Sequence, residues 1–292
     1  MADVIDPTAG FGPARPMFLQ PRIVIPLLIL VAYVLIGIFG PMLRPFDAIS
    51  VDIENRLLPP LSVTTIGAFA LFGTDQIGRD LFTEVLQGAR ISIEVGFATL
   101  AIAGVIGVSV GVAAGYFGGW LDAVLMRIAD IQLAFPAILL AIYIASIFGN
   151  GVANVILVLT IANWVGFARV MRGQTLATLP REFVQATKAL GASDWHVIRH
   201  CILPACVAPL IVIATVELGA MIVAEASLSF LGLGTPAASP SWGLTIANGR
   251  DYLSTAWWIS TLPGVALGIL VIAVGVLGDE LRDALDPNLR RE

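Results

Sequence analysis

The chain contains 292 residues, of which 58% are hydrophobic and 13% charged, and its formal net charge is −5. This composition, with a mean hydropathy of +0.91, excludes an ordinary soluble globular domain. A single lysine and an acidic balance also exclude a nucleic-acid binder, which needs clustered basic side chains to neutralise phosphates.

Long apolar runs predict an all-α integral membrane protein with six transmembrane helices. Each run is long enough to cross most or all of a hydrocarbon core of about 30 Å. No small-residue cleavage site follows the first run, so we interpret it as a retained span and not as a signal peptide. Pro136 is expected to kink the third span. The predicted spans are residues 23–43, 91–117, 120–148, 152–168, 205–230 and 259–277.

The polar loop between the first two predicted spans contains the sequence GTDQIGRD, residues 73–80, which imitates a phosphate-binding loop. The imitation fails chemically, because Arg79 replaces the lysine and Asp80 places a negative charge where a hydroxyl would meet the metal. We therefore predict that the chain does not bind ATP by this route.

Small residues recur every four positions in the second predicted span, at Gly107, Gly111 and Gly115, with Ala103 before them. Such a stripe lets another helix approach closely. We therefore assign the three glycines to helix packing.

Residues 179–204, LPREFVQATKALGASDWHVIRHCILP, form the longest polar interruption in the C-terminal two-thirds of the chain. Pro180 suits the first turn of a helix, Gly191 suits its C-terminal stop, and Ser193 suits the cap of a second helix. The pattern predicts helix, turn and helix outside the bilayer, and on its own it is also typical of a solvated amphipathic loop. The apolar side of the first helix comprises Phe183, Ala186, Ala189 and Leu190.

This segment resembles the EAA loop of ABC-importer permeases. Gln185-Ala186-Thr187 stands at E-A-A, Gly191 at the glycine of the motif, and Leu203-Pro204 at its final Leu-Pro, whereas Gln185, Thr187 and Cys201 depart from the family pattern. In that family the loop docks into a groove on a separate ATPase subunit. The resemblance assigns this ATPase-coupling role to Glu182, Phe183, Gln185, Ala186, Thr187, Leu190, Gly191, Ala192, Leu203 and Pro204.

Further blocks resemble the second ("C") permease of peptide/nickel-type ABC importers, namely residues 73–96, 225–253 and 257–287. The resemblance implies a MetI-like type I permease in a bacterial inner membrane, with a core over residues 73–280 that includes the coupling loop. Residues 1–22 and 281–292 are then cytoplasmic tails, and residues 23–72 hold the first span and an extracytoplasmic loop.

The resemblance also implies partners, which are a homologous second permease, two cytoplasmic ABC ATPases and an extracytoplasmic substrate-binding protein. ATP and magnesium would bind to the ATPases, so the chain itself is expected to hold no cofactor and to be no enzyme. Short peptides are the expected solutes, with nickel chelates, haem and glutathione-like compounds as alternatives. The outer loop over residues 232–253 is expected to contact the binding protein.

Charge distribution predicts the orientation of the spans. With the N-terminus inside, eleven of the sixteen Lys and Arg residues fall in inner segments and the other five in outer segments. Because cytoplasmic loops carry the excess of positive charge, both termini and the coupling loop are predicted to be cytoplasmic.

Three carboxylates are candidates for lining the solute pathway. Glu217 lies about 13 residues into the fifth predicted span, near mid-membrane, where a charge must face water or a partner. It either lines the pathway or bonds across the permease–permease interface. Glu225 and Glu94 lie nearer the outer surface, where we favour a structural or gating role. An ion-driven secondary transporter with Glu217 and Glu94 as proton sites is an alternative that the coupling loop argues against.

Other candidate sites are weaker. His196 and His200 lie four apart beside Cys201, but carboxylates are missing from the set, so we predict no metal site. No paired nucleophile and base supports an intramembrane enzyme. Cys201 and Cys206 are interpreted as small buried apolar groups. An interfacial aromatic belt is predicted at Trp242, Trp257 and Trp258.

Overall fold

A computed structural model describes residues 21–43 and 51–285. Most of both predicted tails lies outside the described residues, as do Arg15, Arg44, Arg290 and Arg291 of the orientation argument. The helices are α1 Pro21–Leu43, α2 Leu81–Phe117, α3 Gly119–Leu133, α4 Ala137–Phe148, α5 Val152–Thr178, α6 Glu182–Ala189, α7 Asp194–Val197, α8 Leu203–Ala205, α9 Val207–Phe230, α10 Trp242–Gly249 and α11 Trp258–Leu285.

Five of these helices are long and apolar enough to cross a membrane, or six spans result if the bent pair α3 and α4 counts as one. The described residues also contain a two-stranded antiparallel hairpin, β1 Ser62–Val63 and β2 Phe69–Ala70, in which Ser62 pairs with Ala70. The hairpin lies in the loop before α2, so the spanning part of the fold is helical as predicted.

The third predicted span, residues 120–148, is broken and not merely kinked. The axes of α3 and α4 differ by 87°. Pro136 has an extended ψ of 127° and cannot donate a backbone hydrogen bond, so the helix stops and restarts there. The Gln132 side chain ties the corner to α5 by donating to the carbonyl oxygens of Ile161 at 2.6 Å and Ala162 at 3.1 Å.

The second span begins at Leu81 instead of residue 91. Asp80 caps the helix, because its Oδ2 accepts hydrogen bonds from the Thr83 backbone N–H at 3.1 Å and from the Thr83 hydroxyl at 2.6 Å. The polar loop predicted before residue 91 includes Glu84, whose carboxylate is buried and paired with the Arg79 guanidinium at 2.9 Å. Pairing therefore allows a charged residue inside this helix.

The fourth and sixth spans also extend further than predicted, to Thr178 and Leu285. In α5, Arg172 lies in the added turns and forms a bidentate salt bridge with Asp122 of α3. Its Nε contacts Oδ1, and its Nη2 lies 2.6 Å from Oδ2. The Thr175 hydroxyl bonds back to a carbonyl of its own helix. Polar side chains that suggested a helix end are thus satisfied within the bundle.

The segment between the fifth and sixth spans is not the loop that the sequence predicted, because α10 forms there. Trp242 is fully buried at its start, and its indole N–H donates to the Val85 carbonyl at 2.9 Å. Gly88 leaves room for the ring, since a Cβ there would lie 2.4 Å from the indole. Trp258 is also buried, so of the three tryptophans only Trp257 is exposed as an aromatic belt requires.

Helix α2 is the centre of the bundle and packs most extensively against α5, with α1, α9 and α11 as further neighbours. Gly107, Gly111 and Gly115 lie along the contact with α5. A Cβ on Gly111 would lie 2.3 Å from the Ala168 carbonyl oxygen, and one on Gly115 would lie 2.8 Å from the Thr175 Cβ. The stripe therefore allows the two backbones to approach closely.

Candidate coupling site

The coupling segment, residues 179–204, lies against the ends of α2 and α5. Its first helix, α6, begins at Glu182, so Pro180 precedes the helix and does not form its first turn as predicted. Val184 is fully buried, whereas Phe183 is 47% exposed and Leu190 is 89% exposed. The helix is thus fixed by one inward residue, and its predicted apolar side points away from the bundle.

The turn between the two short helices follows the sequence prediction. Gly191 has a φ of +82°, a left-handed conformation that side chains disfavour, and its N–H bonds to the Lys188 carbonyl. Ser193 caps α7, with its hydroxyl oxygen accepting from the His196 N–H at 3.4 Å. These local bonds set the angle between the two helices.

Helix α7 continues into α8 through a π-helical turn at Ile198–Ile202. The Leu203 N–H bonds to the Ile198 carbonyl, five residues back. Pro204 follows and has no N–H to extend an ordinary α-helical ladder. The Leu-Pro pair of the motif therefore belongs to a distorted helical connection into α9, of a kind that is frequent at functional sites.

Tyr116, in the last turn of α2, joins both halves of the coupling segment. Its hydroxyl donates to the Asp194 Oδ1 at 2.7 Å, and the Lys188 Nζ lies 4.6 Å from its ring centroid, within range of a cation–π interaction. Sequence reasoning missed this residue, because an aromatic residue at the end of a span is indistinguishable from an ordinary interfacial residue.

A buried apolar cluster lies between the coupling segment and the helices α2 and α5. Burial raises the pKa of the Cys206 thiol, so this group stays neutral. Both cysteines are free and buried, as predicted. The cluster consists of Val112, Met171, Val184, Val197, Cys201, Ile202 and Cys206.

The ten residues assigned to ATPase coupling occupy different positions in this arrangement. Gln185 bonds through its side-chain amide to the Leu179 carbonyl at 2.8 Å, and the Thr187 hydroxyl bonds to the Phe183 carbonyl at 2.7 Å. Ala192 packs against the buried cluster together with Leu203. The other six members have exposed side chains or, for the glycine, an exposed backbone, and they are Glu182, Phe183, Ala186, Leu190, Gly191 and Pro204.

The three candidate pathway carboxylates contact three different neighbours and do not form one site. Glu217 of α9 faces α5, and a Cβ on Gly166 would lie 2.6 Å from its Oε1. Glu225 is fully buried and accepts from the Ser229 hydroxyl at 2.7 Å and the Ser92 hydroxyl at 3.2 Å. Glu94 lies on the α1 side of α2 and is half exposed. Glu217 has no hydrogen bond or ion pair with any described residue.

The two histidines stack on each other, with ring centroids 4.3 Å apart and 25° between the ring planes. His200 Nδ1 lies 3.2 Å from the His196 carbonyl oxygen. Within residues 21–43 and 51–285, no three metal-ligating side chains converge.

The GTDQIGRD loop is held by hydrogen bonds and ion pairs between its own charged residues and the neighbouring Glu84. Asp75 accepts from the backbone N–H groups of Ile77 and Arg79 at 2.9 and 2.8 Å, and from the Arg79 Nε at 2.9 Å. Arg79 also pairs with Glu84 at 2.9 Å. The arginine that stands in the place of a phosphate-loop lysine is therefore occupied by carboxylates.

A bundle of membrane-crossing helices that fixes a helix pair with exposed apolar side chains at one end has the features of a membrane protein with a docking surface for another protein. The chain belongs to the family described as binding-protein-dependent transport system inner membrane component, which it matches over residues 107–291. It is therefore an inner-membrane permease component of a transport system and has the MetI-like fold.

Curated relatives match nearly the whole chain. It is 38% identical to the dipeptide transport system permease protein DppC of Alkalihalophilus pseudofirmus, over 98% of this chain and 93% of the relative. It is 40% identical to the probable D,D-dipeptide transport system permease protein DdpC of Escherichia coli K12, over 92% and 88%. The glutathione transport system permease protein GsiD of Pectobacterium atrosepticum is 38% identical over 87% and 83%.

A solved structure shares the fold. The chain superposes with a TM-score of 0.59 and 21% identity on a chain of the MetNI methionine ABC transporter in an inward-facing conformation. The match covers 70% of this chain and 98% of the other. The similarity concerns the fold alone.

Proposed function

We propose that this chain is the permease subunit of an ABC importer that carries short peptides across the inner membrane. Two relatives named for dipeptide transport, 38% and 40% identical over almost the full length, support peptides as the solute class. A homologous second permease, two cytoplasmic ATPases and an extracytoplasmic binding protein complete the proposed assembly.

The observation that carries the proposal is the exposed apolar surface of the coupling segment. Leu190 is 89% exposed, Trp195 67% and Phe183 47%, although the backbone beneath them is held by Val184 and by the Tyr116 contacts. Large apolar side chains on a fixed support fit a protein interface, and a packed interface transmits movement because it has discrete arrangements.

The orientation follows from the same proposal. If the coupling segment meets cytoplasmic ATPases, the ends of α2, α5 and α11 that lie on its side are cytoplasmic, in agreement with the positive-inside count. Both termini then lie in the cytoplasm. The chain holds neither ATP nor magnesium, which bind to the ATPases, and the engagement of Arg79 with Asp75 and Glu84 supports this division of roles.

For the solute pathway we propose Glu217. It lies in the middle of α9, it is partly exposed, and it has no partner among the described residues. A carboxylate at mid-membrane has to face water or a polar group, and the ammonium or amides of a passing peptide supply one. Glu225 has protein partners in Ser92 and Ser229, which supports a structural role for it.

Reconstitution tests the proposal. The chain is incorporated into vesicles with the sister permease, both ATPases and the binding protein, and uptake of labelled L-alanyl-L-alanine is measured with and without ATP. We expect ATP-dependent uptake by the full assembly and no ATP hydrolysis by the chain alone. Hydrolysis by the chain alone, or proton-driven uptake after removal of both ATPases, would contradict the proposal.

A matched pair of variants tests the docking surface. Leu190→Asp places a charge on the exposed apolar patch and is expected to abolish co-purification of the ATPases. Ile66→Asp makes the same change at a residue that is 83% exposed but lies in the hairpin loop, outside the coupling segment, and should leave co-purification intact. Glutathione is the alternative solute, which the GsiD relative supports. Added in excess, it should inhibit uptake of the labelled dipeptide only if the transporter also accepts glutathione-like compounds.

A further inference from the structure

A polar cavity of about 540 Å³ lies at the end of the bundle opposite the coupling segment. Its walls come from the GTDQIGRD loop, the C-terminal end of α9, α10 and the turn that follows α10. Its volume falls in the range of small-molecule sites, which is about 300–1,000 Å³. Two of the sequence blocks that resemble the peptide/nickel-type permeases, residues 73–96 and 225–253, meet at this cavity.

The cavity contains polar groups that the protein leaves unsatisfied. The Gln76 Oε1 is buried and has no hydrogen-bond partner among the described residues. The side chains of Asn248 and Tyr252 also line the cavity, and neither makes a hydrogen bond to another described residue. Because an unsatisfied buried polar group is unfavourable, the Gln76 Oε1 indicates a ligand with a hydrogen-bond donor, and the half-buried side chains of Asn248 and Tyr252 offer further polar contacts.

Charges of opposite sign stand side by side at its rim. Arg250 and Asp251 line the cavity, their Nε and Oδ1 atoms are 3.4 Å apart, and their side chains are 61% and 78% exposed. An exposed ion pair of this kind contributes little to stability, so it costs little to break the pair. Arg250 and Asp251 can then each pair with an opposite charge on a ligand. A ligand that carries one positive and one negative group satisfies both.

The shape of the cavity is held by buried contacts behind it. Arg79 pairs with Glu84 at 2.9 Å, and the Thr245 hydroxyl of α10 donates to Glu84 at 3.5 Å. These contacts join the GTDQIGRD loop to α10, so that Gln76 and Asn248 line the same cavity. The motif, which has no phosphate to bind, instead presents a free amide to this cavity.

We propose that the cavity binds a short zwitterionic peptide at the mouth of the permease. Arg250 receives the terminal carboxylate, Asp251 receives the terminal ammonium, and Gln76 and Asn248 bond to the peptide amide. The identity of the ligand rests on the proposed function as a peptide permease. The competing occupant is the binding protein, docked on this surface, but a concave site of about 540 Å³ with one charge of each sign fits a dipeptide better.

The test uses the complete transporter, with sister permease and both ATPases, in lipid nanodiscs without nucleotide or binding protein. L-alanyl-L-alanine is titrated and its binding followed by saturation-transfer NMR. We expect Arg250→Ala to weaken binding by about tenfold and Gln76→Ala by about threefold, since a charged and a neutral hydrogen bond are lost respectively. N-acetyl-L-alanyl-L-alanine amide, which lacks both charges, should bind about tenfold more weakly than the free dipeptide.

Ser254→Ala is the matched control, because Ser254 is exposed in the same outer segment but does not line the cavity. Equal affinity of wild type and Arg250→Ala, or of free and capped dipeptide, overturns the proposal. It is also overturned if the cavity variants weaken binding of the peptide-free binding protein while leaving the dipeptide affinity unchanged. If the reconstituted wild type imports dipeptide without binding it here, only this proposal fails, whereas an absence of import refutes the proposed function.

Discussion

Tyr116, in the last turn of α2, donates a 2.7 Å hydrogen bond to Asp194, the first residue of α7. The same ring contacts Lys188 of α6, so one side chain connects the central helix of the bundle to both helices of the coupling segment. If the segment couples ATP hydrolysis to transport as proposed, we expect this contact to pass its movement to α2.

Tyr116→Phe is expected to lower the amount of solute transported per ATP hydrolysed by about two- to tenfold, because it removes one hydrogen bond and keeps the ring. Uptake and phosphate release are measured on the same vesicles. Asp194→Asn retains an acceptor oxygen and serves as the mild control. An unchanged ratio in Tyr116→Phe would show that this contact does not transmit the movement.

Gly191→Val is expected to reduce docking of the ATPases while membrane insertion stays normal. Nothing lies within 4 Å of an added Cβ, so the effect comes from backbone strain at a φ of +82° and not from a clash. That strain amounts to about 1–2 kcal/mol for an ordinary residue. Gly191→Asn, which tolerates this conformation, should dock almost normally, and equal defects in both variants would point to another cause.

Glu217→Gln is expected to leave ATPase co-purification intact and to change the rate of dipeptide uptake by about tenfold, as loss of a charged hydrogen bond would. Glu54→Gln, an exposed carboxylate outside the spans, is the control. If rate and solute range of Glu217→Gln equal those of the wild type, Glu217 does not line the pathway.

Gly111→Val is expected to force α2 and α5 apart, because its Cβ would meet the Ala168 carbonyl oxygen at 2.3 Å. Overpacking of this kind costs about 1–3 kcal/mol and should lower the thermal midpoint of the purified complex. Gly104→Val makes the same substitution in the same helix with nothing within 4 Å. Similar midpoints for the two variants would argue against the stripe as the contact that holds the helices together.

Arg79→Met is expected to destabilise the end of the bundle opposite the coupling segment by about 3–5 kcal/mol, since it leaves the buried Asp75 and Glu84 without their cation. Arg90→Met removes an arginine that is 52% exposed and 3.9 Å from Glu94, and it should cost about 0–1 kcal/mol. Chemical unfolding of each variant in detergent measures the difference. Comparable losses in the free energy of unfolding would mean that the buried Asp75–Arg79–Glu84 network stabilises the fold no more than an exposed ion pair does.

Local signals in the sequence were sufficient for the turn and the second helix cap of the coupling segment, although not for Pro180, which precedes α6. Gly191 and Ser193 act through the backbone of their immediate neighbours, so their residue types predicted the turn and the cap without knowledge of the tertiary fold. The exposed side was also predictable, because Phe183 and Leu190 follow a helical period. Tyr116 was not, since its partners lie far along the chain.

Features that depend on the direction of a helix or on distant partners were beyond the sequence. Hydropathy reports the average apolarity of a run, and it cannot distinguish a kinked span from the 87° corner at Pro136. Glycine and proline around α10 suggested a loop, while the burial of Trp242 against Gly88 stabilises a helix there. The early start of α2 was also missed, since Glu84 is buried there only by pairing with Arg79 of the preceding loop.

The length of α2 gives the molecule mechanical leverage. Its 37 residues extend about 55 Å at 1.5 Å per residue, well beyond the thickness of the hydrocarbon layer. Tyr116 sits near one tip of this rod and Glu84 near the other. Pivoting the rod by about 10° around one tip displaces the other by about 10 Å over that length, so in the transporter that we propose a small rotation at the coupling segment would move the far end of α2 widely.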